Sequence, residues 1–276
     1  MKTVFLVKRF YTNKDLIEER FGRLFHLPTL LASRGHECSV LALDYETDRG
    51  LDRVIENVRF QSLPSRTPLQ MASAWRKVRA AAGSGTDAVF SSGDSYIGYL
   101  GLRLAKRLAA KAVFDLYDDY ASFGTNRIPM MKSLLRTAAS SSDLLCCASQ
   151  PILEKYRQYQ ENTLLLPNGV DTAVFRQSDR VSARQETGIG NNVTVIGYFG
   201  SIHKLRGIDD LLAAVAHLRA DGLDCRLLLA GRDYDEVDLD HPWIDYRGMV
   251  SQEEIVALIN SCDVVTVPYK DCLLYT

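Results

Sequence analysis

Short apolar runs alternate with amphipathic stretches along the whole chain, and this alternation is the main structural signal in the sequence. Seven apolar runs in the first 170 residues predict β-strands, at Thr3–Val7, Cys38–Leu43, Val58–Leu63, Ala88–Ser91, Ala112–Leu116, Leu144–Ala148 and Leu164–Leu166. The runs are almost continuously apolar, which is typical of parallel strands buried on both faces. They therefore predict a parallel sheet with helices packed on both sides.

Amphipathic stretches lie between these strands. Five of them predict helices, at Lys14–Ser33, Pro68–Ala82, Tyr96–Ala110, Pro129–Ser141 and Pro151–Tyr159. The first helix is expected to end at Arg34-Gly35, because glycine permits the left-handed conformation that commonly closes a helix. Regular alternation of strands and helices predicts a doubly wound α/β domain.

The segment after Pro167-Asn168-Gly169 interrupts the pattern with turn-forming and polar residues. We therefore predict a first domain over residues 1–170, a linker over 171–192 and a second α/β domain over 193–276. The second domain is predicted to contain strands Val193–Phe199, Cys225–Ala230, Trp243–Tyr246 and Val264–Val267, with helices Gly207–Ala220 and Gln252–Ser261. Only 106 residues follow Val170, where a whole domain has roughly 150. We therefore expect the second domain to be incomplete at its C-terminal end.

Composition limits the class of protein. No apolar run approaches the roughly 18 residues that cross a bilayer, and the apolar run at the N-terminus is too short for a signal peptide. The six cysteines show neither a CxxC pair nor metal-ligand spacing. These features predict a reduced, cytoplasmic protein without bound metal.

Charge is unevenly distributed, although the net charge is −1. Residues up to Val170 carry 23 Lys and Arg against 17 Asp and Glu, whereas the remainder carries 10 against 17. The basic half is suited to an anionic surface or ligand, but the difference is equally consistent with two ordinary solvated surfaces.

The loop after the predicted strand Val193–Phe199 is the first candidate site. It contains Lys204 and Arg206, with His203 beside them, and a helix is predicted to begin at Gly207. Free amide groups at a helix start, together with two cations, predict an anion site at the carboxyl edge of the sheet. The alternative is an ordinary connection with solvated basic residues.

Two acidic residues, Asp118 and Asp119, follow the predicted strand Ala112–Leu116 among aromatic residues. Paired carboxylates at that edge are suited to sugar hydroxyls or to acid–base chemistry. The alternative is that either residue caps the segment that follows.

A third candidate is a basic stretch between Tyr96 and Ser142. Its seven cations are Arg103, Lys106, Arg107, Lys111, Arg127, Lys132 and Arg136. Such a stretch predicts peripheral contact with anionic lipid at the inner face of the membrane, unless it is simply a solvated helix face. Nucleic acid is a poor match, because aromatic residues are not interleaved with these cations.

Several motifs in order carry a resemblance to a known family. They are Leu31-Ala-Ser-Arg-Gly-His36, Pro167-Asn-Gly-Val-Asp171, Gly197-Tyr-Phe-Gly-Ser-Ile202, Arg206-Gly-Ile-Asp-Asp-Leu-Leu212, Leu227-Leu-Leu-Ala-Gly231, Tyr246-Arg-Gly-Met-Val250 and Asp263-Val-Val-Thr-Val-Pro268. The set resembles family 4 glycosyltransferases of the GT-B fold. The resemblance implies two Rossmann-like domains that transfer a sugar, with retention of configuration, from a nucleotide-diphosphate donor to a glycan or lipid-linked acceptor, without a cofactor.

The resemblance also implies roles for individual residues. Four would lie near the donor diphosphate: Gly200, Ser201, Lys204 and Arg206. Gly231 and Arg232 would line the donor cleft, whereas Met249 and Val250 would meet the nucleobase. In the first domain, Gly22 would lie near the acceptor and diphosphate, and Asp118 near the transferred sugar.

The sequence departs from the family at its end and in the donor loop. Ser201 stands where many members have arginine, and Arg206 where lysine is usual. The family's paired glutamates have no counterpart in the sequence after Val267, so the resemblance predicts little or no transferase activity for this chain. A non-catalytic GT-B-like binding module, or the partner subunit of a split glycosyltransferase, is the alternative. An NAD-dependent enzyme is disfavoured because the glycine fingerprint is missing.

Overall fold

A computed structural model describes residues 1–11, 14–81, 83, 85–122 and 129–269. The chain divides into two compact units, of which the first covers Met1–Gly169 and the second begins at Val170. Arg127 of the basic stretch and Cys272 lie outside the described residues. None of the helices in the described ranges is both long and apolar enough to cross a membrane.

The first unit is built on an eight-stranded sheet. The strands of the unit are β1 (Lys2–Lys8), β2 (Phe10–Tyr11), β3 (Lys14–Asp15), β4 (Glu37–Asp44), β5 (Leu51–Ile55), β6 (Val58–Pro64), β7 (Ala88–Ser92), β8 (Lys111–Leu116), β9 (Leu144–Cys147) and β10 (Thr163–Leu165). Strands β2 and β3 form a separate two-stranded pair, and the other eight form the sheet. The strand order is β10-β9-β8-β7-β1-β4-β6-β5, and every pair except β5–β6 is parallel. The seven predicted strands are all present, whereas the edge strand β5 was not predicted.

Helices connect the parallel strands of this unit. They are α1 (Arg23–Ser33), α2 (Pro68–Ala81), α3 (Ser95–Leu108), α4 (Pro129–Ser141) and α5 (Gln150–Arg157). Asp94 caps α3 by accepting hydrogen bonds from the amides of Tyr96 and Ile97, both at 3.1 Å. Side-chain capping of this kind satisfies amides that have no partner within the helix.

The second unit has a smaller, wholly parallel sheet. Its elements are α6 (Arg180–Thr187), β11 (Thr194–Phe199), α7 (Ile208–Ala220), β12 (Cys225–Ala230), β13 (Ile244–Tyr246), α8 (Gln252–Ser261) and β14 (Val264–Val265), in the strand order β13-β12-β11-β14. The predicted strands and helices of this unit are present, with ends that shift by one or two residues. The sequence did not predict α6, which lies inside the segment assigned to the linker.

Polar contacts attach this unpredicted helix to the rest of the second unit. Arg184 is buried, donates from Nε to the Ser261 carbonyl at 2.9 Å, and pairs with Asp263 at 2.6 Å. Asp179 caps the helix through the Ser182 amide at 2.8 Å. The helix is short and polar, so its apolar periodicity is too weak to be read from the sequence.

The predicted helix Lys14–Ser33 is wrong over its first nine residues. Lys14–Asp15 pairs instead with Phe10–Tyr11 as an antiparallel strand pair. The Asp15 carboxylate accepts hydrogen bonds from the Ile17 amide at 2.8 Å and the Glu18 amide at 3.2 Å, which competes with helix formation. The helix begins only after Gly22, whose φ of +73° is non-helical.

A buried ion network holds this irregular connection. The Arg9 guanidinium is 3% exposed and contacts Asp15 at 2.6 Å and Asp44 at 3.1 Å. It also donates to the Arg49 carbonyl at 3.2 Å and the Ser62 hydroxyl at 3.3 Å. Arg9 therefore balances the charge of two buried carboxylates, and it links the segments that contain Asp15, Asp44 and Ser62.

We expect Arg9→Met to lower the free energy of unfolding of the first unit by about 3–5 kcal/mol, because two buried carboxylates lose their cation. Urea denaturation followed by Trp75 fluorescence in a Trp243→Phe background measures this unit alone. Arg59→Met is the control, because Arg59 pairs with Asp52 at the surface, where an ion pair contributes little. Equal free energies of unfolding for Arg9→Met and Arg59→Met would contradict a stabilising role for the buried ion network.

Candidate functional site

The candidate site of the second unit lies on loops that follow neighbouring strands. Gly200 and Ser201 follow β11, and Gly231 and Arg232 follow β12. The Gly200 amide donates to the Ala230 carbonyl at 2.9 Å, and the Ile202 amide donates to the Arg232 carbonyl at 2.8 Å. Four of the predicted donor-site residues are therefore brought together at the carboxyl edge of the sheet.

The contact between Gly200 and Gly231 requires glycine. Gly231 has a φ of +141°, and a Cβ atom there would lie 1.9 Å from the Gly200 carbonyl oxygen. Any larger residue would force the two loops apart. Gly231 also donates its amide to the Gly248 carbonyl at 2.8 Å, which fixes the loop that follows β13.

That third loop carries the residues predicted to meet a nucleobase. Met249 is 65% exposed. Val250 is half-buried and packs on the cluster that includes Val195 and Leu258. Met249 is therefore available to a ligand, whereas Val250 contributes part of its surface to the core.

The cationic loop after β11 forms a single 3₁₀ turn over Lys204–Arg206. His203 is the capping residue, because its Nδ1 accepts from the Leu205 amide at 3.1 Å. Gly207 then adopts a φ of +72°, so α7 begins one residue later than predicted. A Cβ atom at Gly207 would lie 1.9 Å from the Pro268 carbonyl oxygen.

The positive charge at this edge comes from side chains rather than from the start of α7. Asp209 and Asp210 occupy the first turn of that helix, where they interact favourably with its dipole. Lys204, Arg206 and Arg232 are exposed. Within the described parts of the chain none of these three cations forms an ion pair with a carboxylate. They remain able to bind an anion.

Aromatic rings support two of these cations. The Arg206 guanidinium lies 4.7 Å from the centroid of Tyr269, and the Arg232 guanidinium lies 5.1 Å from that of Tyr234. Stacking of this kind restricts the side chain and leaves the edge of the guanidinium able to donate hydrogen bonds.

In the first unit Gly22 precedes α1, in close contact with an aromatic ring. A Cβ atom on Gly22 would lie 2.3 Å from the Tyr11 hydroxyl oxygen. The Gly22 carbonyl accepts from the Phe25 amide at 3.0 Å. Glycine is therefore required for both the backbone conformation and the approach of Tyr11.

The two candidate aspartates after β8 have different surroundings. Asp119 is 4% exposed and pairs with Lys155 of α5 at 2.7 Å, so its role is structural. Asp118 is half-buried and accepts from the Asp119 amide at 2.8 Å. This bond is to the adjacent residue and does not cap a helix, and the contact of Asp118 with a sugar stays a prediction.

Sequence reasoning missed a buried ion pair at this edge. Arg23, directly after Gly22, donates to Asp115 at 2.8 Å, to the Asn168 side chain at 2.9 Å and to the Leu166 carbonyl at 3.0 Å. Asp115 lies at the end of β8 and is fully buried. The sequence does contain a signal for this pair: Asp115 is a charged residue inside the apolar run Ala112–Leu116, and a buried charge needs a partner.

Burial raises the pKa of the Asp115 carboxyl to about 6, although the Arg23 cation and the Ser92 hydroxyl stabilise its ionised form. The Nε atom of Arg23 is buried, and no described residue accepts a hydrogen bond from it. Arg23 thus fixes the start of α1 and the last residues of the first unit through one side chain.

We expect Arg23→Met to lower the free energy of unfolding of the first unit by about 3–5 kcal/mol at pH 8, where Asp115 would be ionised without its cation. Loss of the cation raises the pKa of Asp115 above about 6. Folded Arg23→Met therefore keeps a proton on Asp115 at pH values at which the folded native protein has already released it. The loss of stability should therefore shrink as the pH falls towards 5. Urea titrations at both pH values measure it, with the exposed Arg34→Met as control; a pH-independent loss would contradict the account.

The described residues contain no group of three or more His, Cys, Asp or Glu side chains that could hold a metal ion. The exposed side chains of Lys204, Arg206 and Arg232 make anion binding the candidate chemistry of the second unit.

Comparisons with known proteins identify the family. The profile described as Glycosyltransferase Family 4 matches residues 24–174, which is more than half of the chain, and the profile described as Glycosyl transferases group 1 matches residues 193–272. The chain is 35% identical over 72 residues to the D-inositol 3-phosphate glycosyltransferase of Stackebrandtia nassauensis, covering 26% of this chain and 16% of that protein. It is 24% identical over 197 residues to the putative glycosyltransferase EpsF of Bacillus subtilis, covering 66% and 51%. The chain thus spans at most about half the length of these curated relatives.

Solved structures share the fold. Sucrose-phosphate synthase from Thermosynechococcus elongatus superposes with a TM-score of 0.74 at 15% identity, covering 98% of this chain and 77% of that one. Anabaena HepE, solved in complex with UDP-glucose, gives a TM-score of 0.66 at 18% identity, covering 96% and 73%. The predicted α/β fold class of GT-B type is confirmed. On the family match, the chain belongs to glycosyltransferase family 4.

Proposed function

We propose that the second unit binds the diphosphate of a nucleotide sugar and that the protein transfers the sugar to an acceptor. The observation that carries the proposal is the group of three exposed cations, Lys204, Arg206 and Arg232, on two hydrogen-bonded loops at the carboxyl edge of the sheet. A leaving nucleoside diphosphate gains negative charge, and cations fixed at that position stabilise it.

Two solved structures with the same fold support the choice of ligand. HepE was solved with UDP-glucose, and the catalytic domain of Arabidopsis starch synthase IV was solved with ADP. We propose that Met249, with the exposed part of Val250, contacts the nucleobase. Gly200, Ser201 and Gly231 bring the backbone close to the diphosphate in this proposal.

The acceptor is assigned to the first unit. Asp118 comes two residues after β8, and Gly22 precedes Arg23, which pairs with Asp115 near the end of the same strand. Both therefore lie at the edge where ligands of α/β proteins bind. In our proposal the acceptor is a glycan or lipid-linked molecule, and transfer retains the anomeric configuration, as is usual in family 4. Proton NMR of the first-formed product would show the anomer directly.

Arg206→Ala is expected to weaken UDP binding about tenfold, because one charge-assisted hydrogen bond to a phosphate is lost. Isothermal titration with UDP, UMP and NAD⁺ measures the effect and its specificity. Arg226→Ala is the matched control, since Arg226 is an exposed cation within β12, away from the loops.

Binding of NAD⁺ in preference to UDP would overturn the proposed ligand. An unchanged dissociation constant for UDP in Arg206→Ala would remove Arg206 from the site. A UDP-binding chain that transfers no sugar alone, but does so with a second protein, would favour the partner-subunit alternative.

We also propose peripheral contact with anionic membranes through the basic stretch. Arg103, Lys106 and Arg107 on α3 are exposed, as are Lys132 and Arg136 on α4, and the two helices pack together. Lys111 is less suitable, because it pairs with Asp143 at 2.7 Å.

The double variant Lys106→Gln/Arg107→Gln should reduce binding to vesicles rich in phosphatidylserine by roughly tenfold, since each cation near an anionic surface contributes to attraction. Co-sedimentation at low salt measures it. Arg76→Gln/Lys77→Gln, an exposed cation pair on α2, is the control. Equal partitioning of the native protein onto neutral and anionic vesicles would count against membrane contact.

A further inference from the structure

The first unit contains a cavity that the proposed donor site does not use. Its volume is about 240 Å³, and it lies between α2, α3 and the ends of β4 and β6. A second cavity of about 260 Å³ adjoins it, sharing three residues with it. The principal lining residues of the pair are Leu43, Tyr45, Met71, Trp75, Tyr96 and Leu100.

The inner cavity has a predominantly apolar wall. Leu43 belongs to the buried core cluster, and Trp75 and Leu100 pack against that cluster. A hydroxylated group placed among them would lose its hydrogen bonds to water without replacement. This part of the cavity is suited to hydrocarbon.

The outer cavity is polar on one side. Lys8, at the end of β1, pairs with Asp94 at 2.5 Å, and both residues line this cavity. Asp94 is held in place because it also caps α3. A fixed ion pair beside aromatic rings is suited to a ligand that offers hydroxyl groups.

Tyr45 lines both cavities. Its hydroxyl oxygen is buried, and no partner for it exists among the described residues. Burial and the nearby Tyr96 and Asp94 raise the pKa of Tyr45, so its hydroxyl remains a proton donor at neutral pH. An unpaired buried hydroxyl is costly, and a ligand hydroxyl or carbonyl would relieve that cost.

The position in the sheet also favours a ligand site. β4 and β6 extend to one side of β1, whereas β7 and the later strands extend to the other. Lys8 ends β1 and Asp94 follows β7, so the outer cavity lies at the point where the strand order reverses. Ligands of open α/β sheets bind at this point.

We infer that this cavity binds an amphiphilic acceptor, with an alkyl or acyl chain in the inner part and a hydroxylated ring against Tyr45, Tyr96 and the Lys8–Asp94 pair. The role of this ligand as the acceptor rests on the proposed transferase function. The binding of an amphiphilic molecule follows from the lining of the cavity and does not depend on that function. A purely saccharide ligand would leave the inner wall unfilled, and a purely apolar ligand would leave the Tyr45 hydroxyl unpaired.

The test uses alkyl glucosides below their micellar concentrations. Methyl, butyl and hexyl β-D-glucoside, together with 1-hexanol, are titrated into the Trp243→Phe protein, whose remaining tryptophan, Trp75, lines the cavity. Affinity should rise by up to about fourfold for each added methylene, and hexyl glucoside should bind more tightly than hexanol. Equal affinity for methyl and hexyl glucoside, or for hexanol and hexyl glucoside, would overturn the inference.

Two variants connect binding to the residues named. Tyr45→Phe should weaken hexyl glucoside binding roughly three- to tenfold without loss of stability, because the hydroxyl has no protein partner to lose. Ala72→Phe places a ring into the inner cavity from an exposed position on α2 and should abolish binding. Ala80→Phe, an exposed alanine on the same helix that does not line the cavity, is the matched control.

Binding of UDP is measured on the same samples. Normal UDP binding without glucoside binding would overturn the acceptor cavity alone. Glucoside binding that follows chain length, without UDP binding, would leave the cavity standing and overturn the proposed function.

Discussion

Both faces of the eight-stranded sheet are buried at its centre, where alternate residues of β1 lie in two different apolar clusters. Val4 and Leu6 belong to one cluster, whereas Phe5 and Val7 belong to the other. Parallel strands also need long connections, and the helices that provide them cover both faces. The carboxyl edge is then the place where polar side chains can accumulate without interrupting the core. The candidate residues of both units lie at such edges.

Charged groups at the edge of the first sheet follow from the same constraint. A carboxylate at the end of a buried strand loses its water, and a cation from a neighbouring connection must replace it. Asp44 obtains Arg9 and Asp115 obtains Arg23. Arg9 directly follows β1 and Arg23 is the first residue of α1, so the two ion pairs hold both ends of the irregular segment between them. Gly22 is the last residue of this segment, so its position depends on the conformation of the segment.

The second unit uses charge differently. Lys204, Arg206 and Arg232 are exposed. The nearby Glu236 carboxylate contacts the backbone of the cationic loop instead of these side chains, because it accepts a hydrogen bond from the Lys204 amide at 3.2 Å. Glycines hold the loops together at a distance that no other residue permits. This combination differs from the buried ion networks of the first unit and is what the proposed diphosphate site requires.

The sequence by itself determined the alternation of strands and helices, the class of the sheet and the family, because continuous apolar runs and ordered motifs are local signals. It also located most of the candidate residues of the second unit, since these follow directly after predicted strands. It failed where local and tertiary preferences conflict. Lys14–Asp15 lies in a helical pattern but forms a strand pair, because Asp15 is held by Arg9. The partners of Arg23, the short helix Arg180–Thr187 and the cavity beside Trp75 also depend on contacts between residues far apart in sequence. Only the tertiary structure decided them, because a buried charge or an unfilled space is defined by its neighbours.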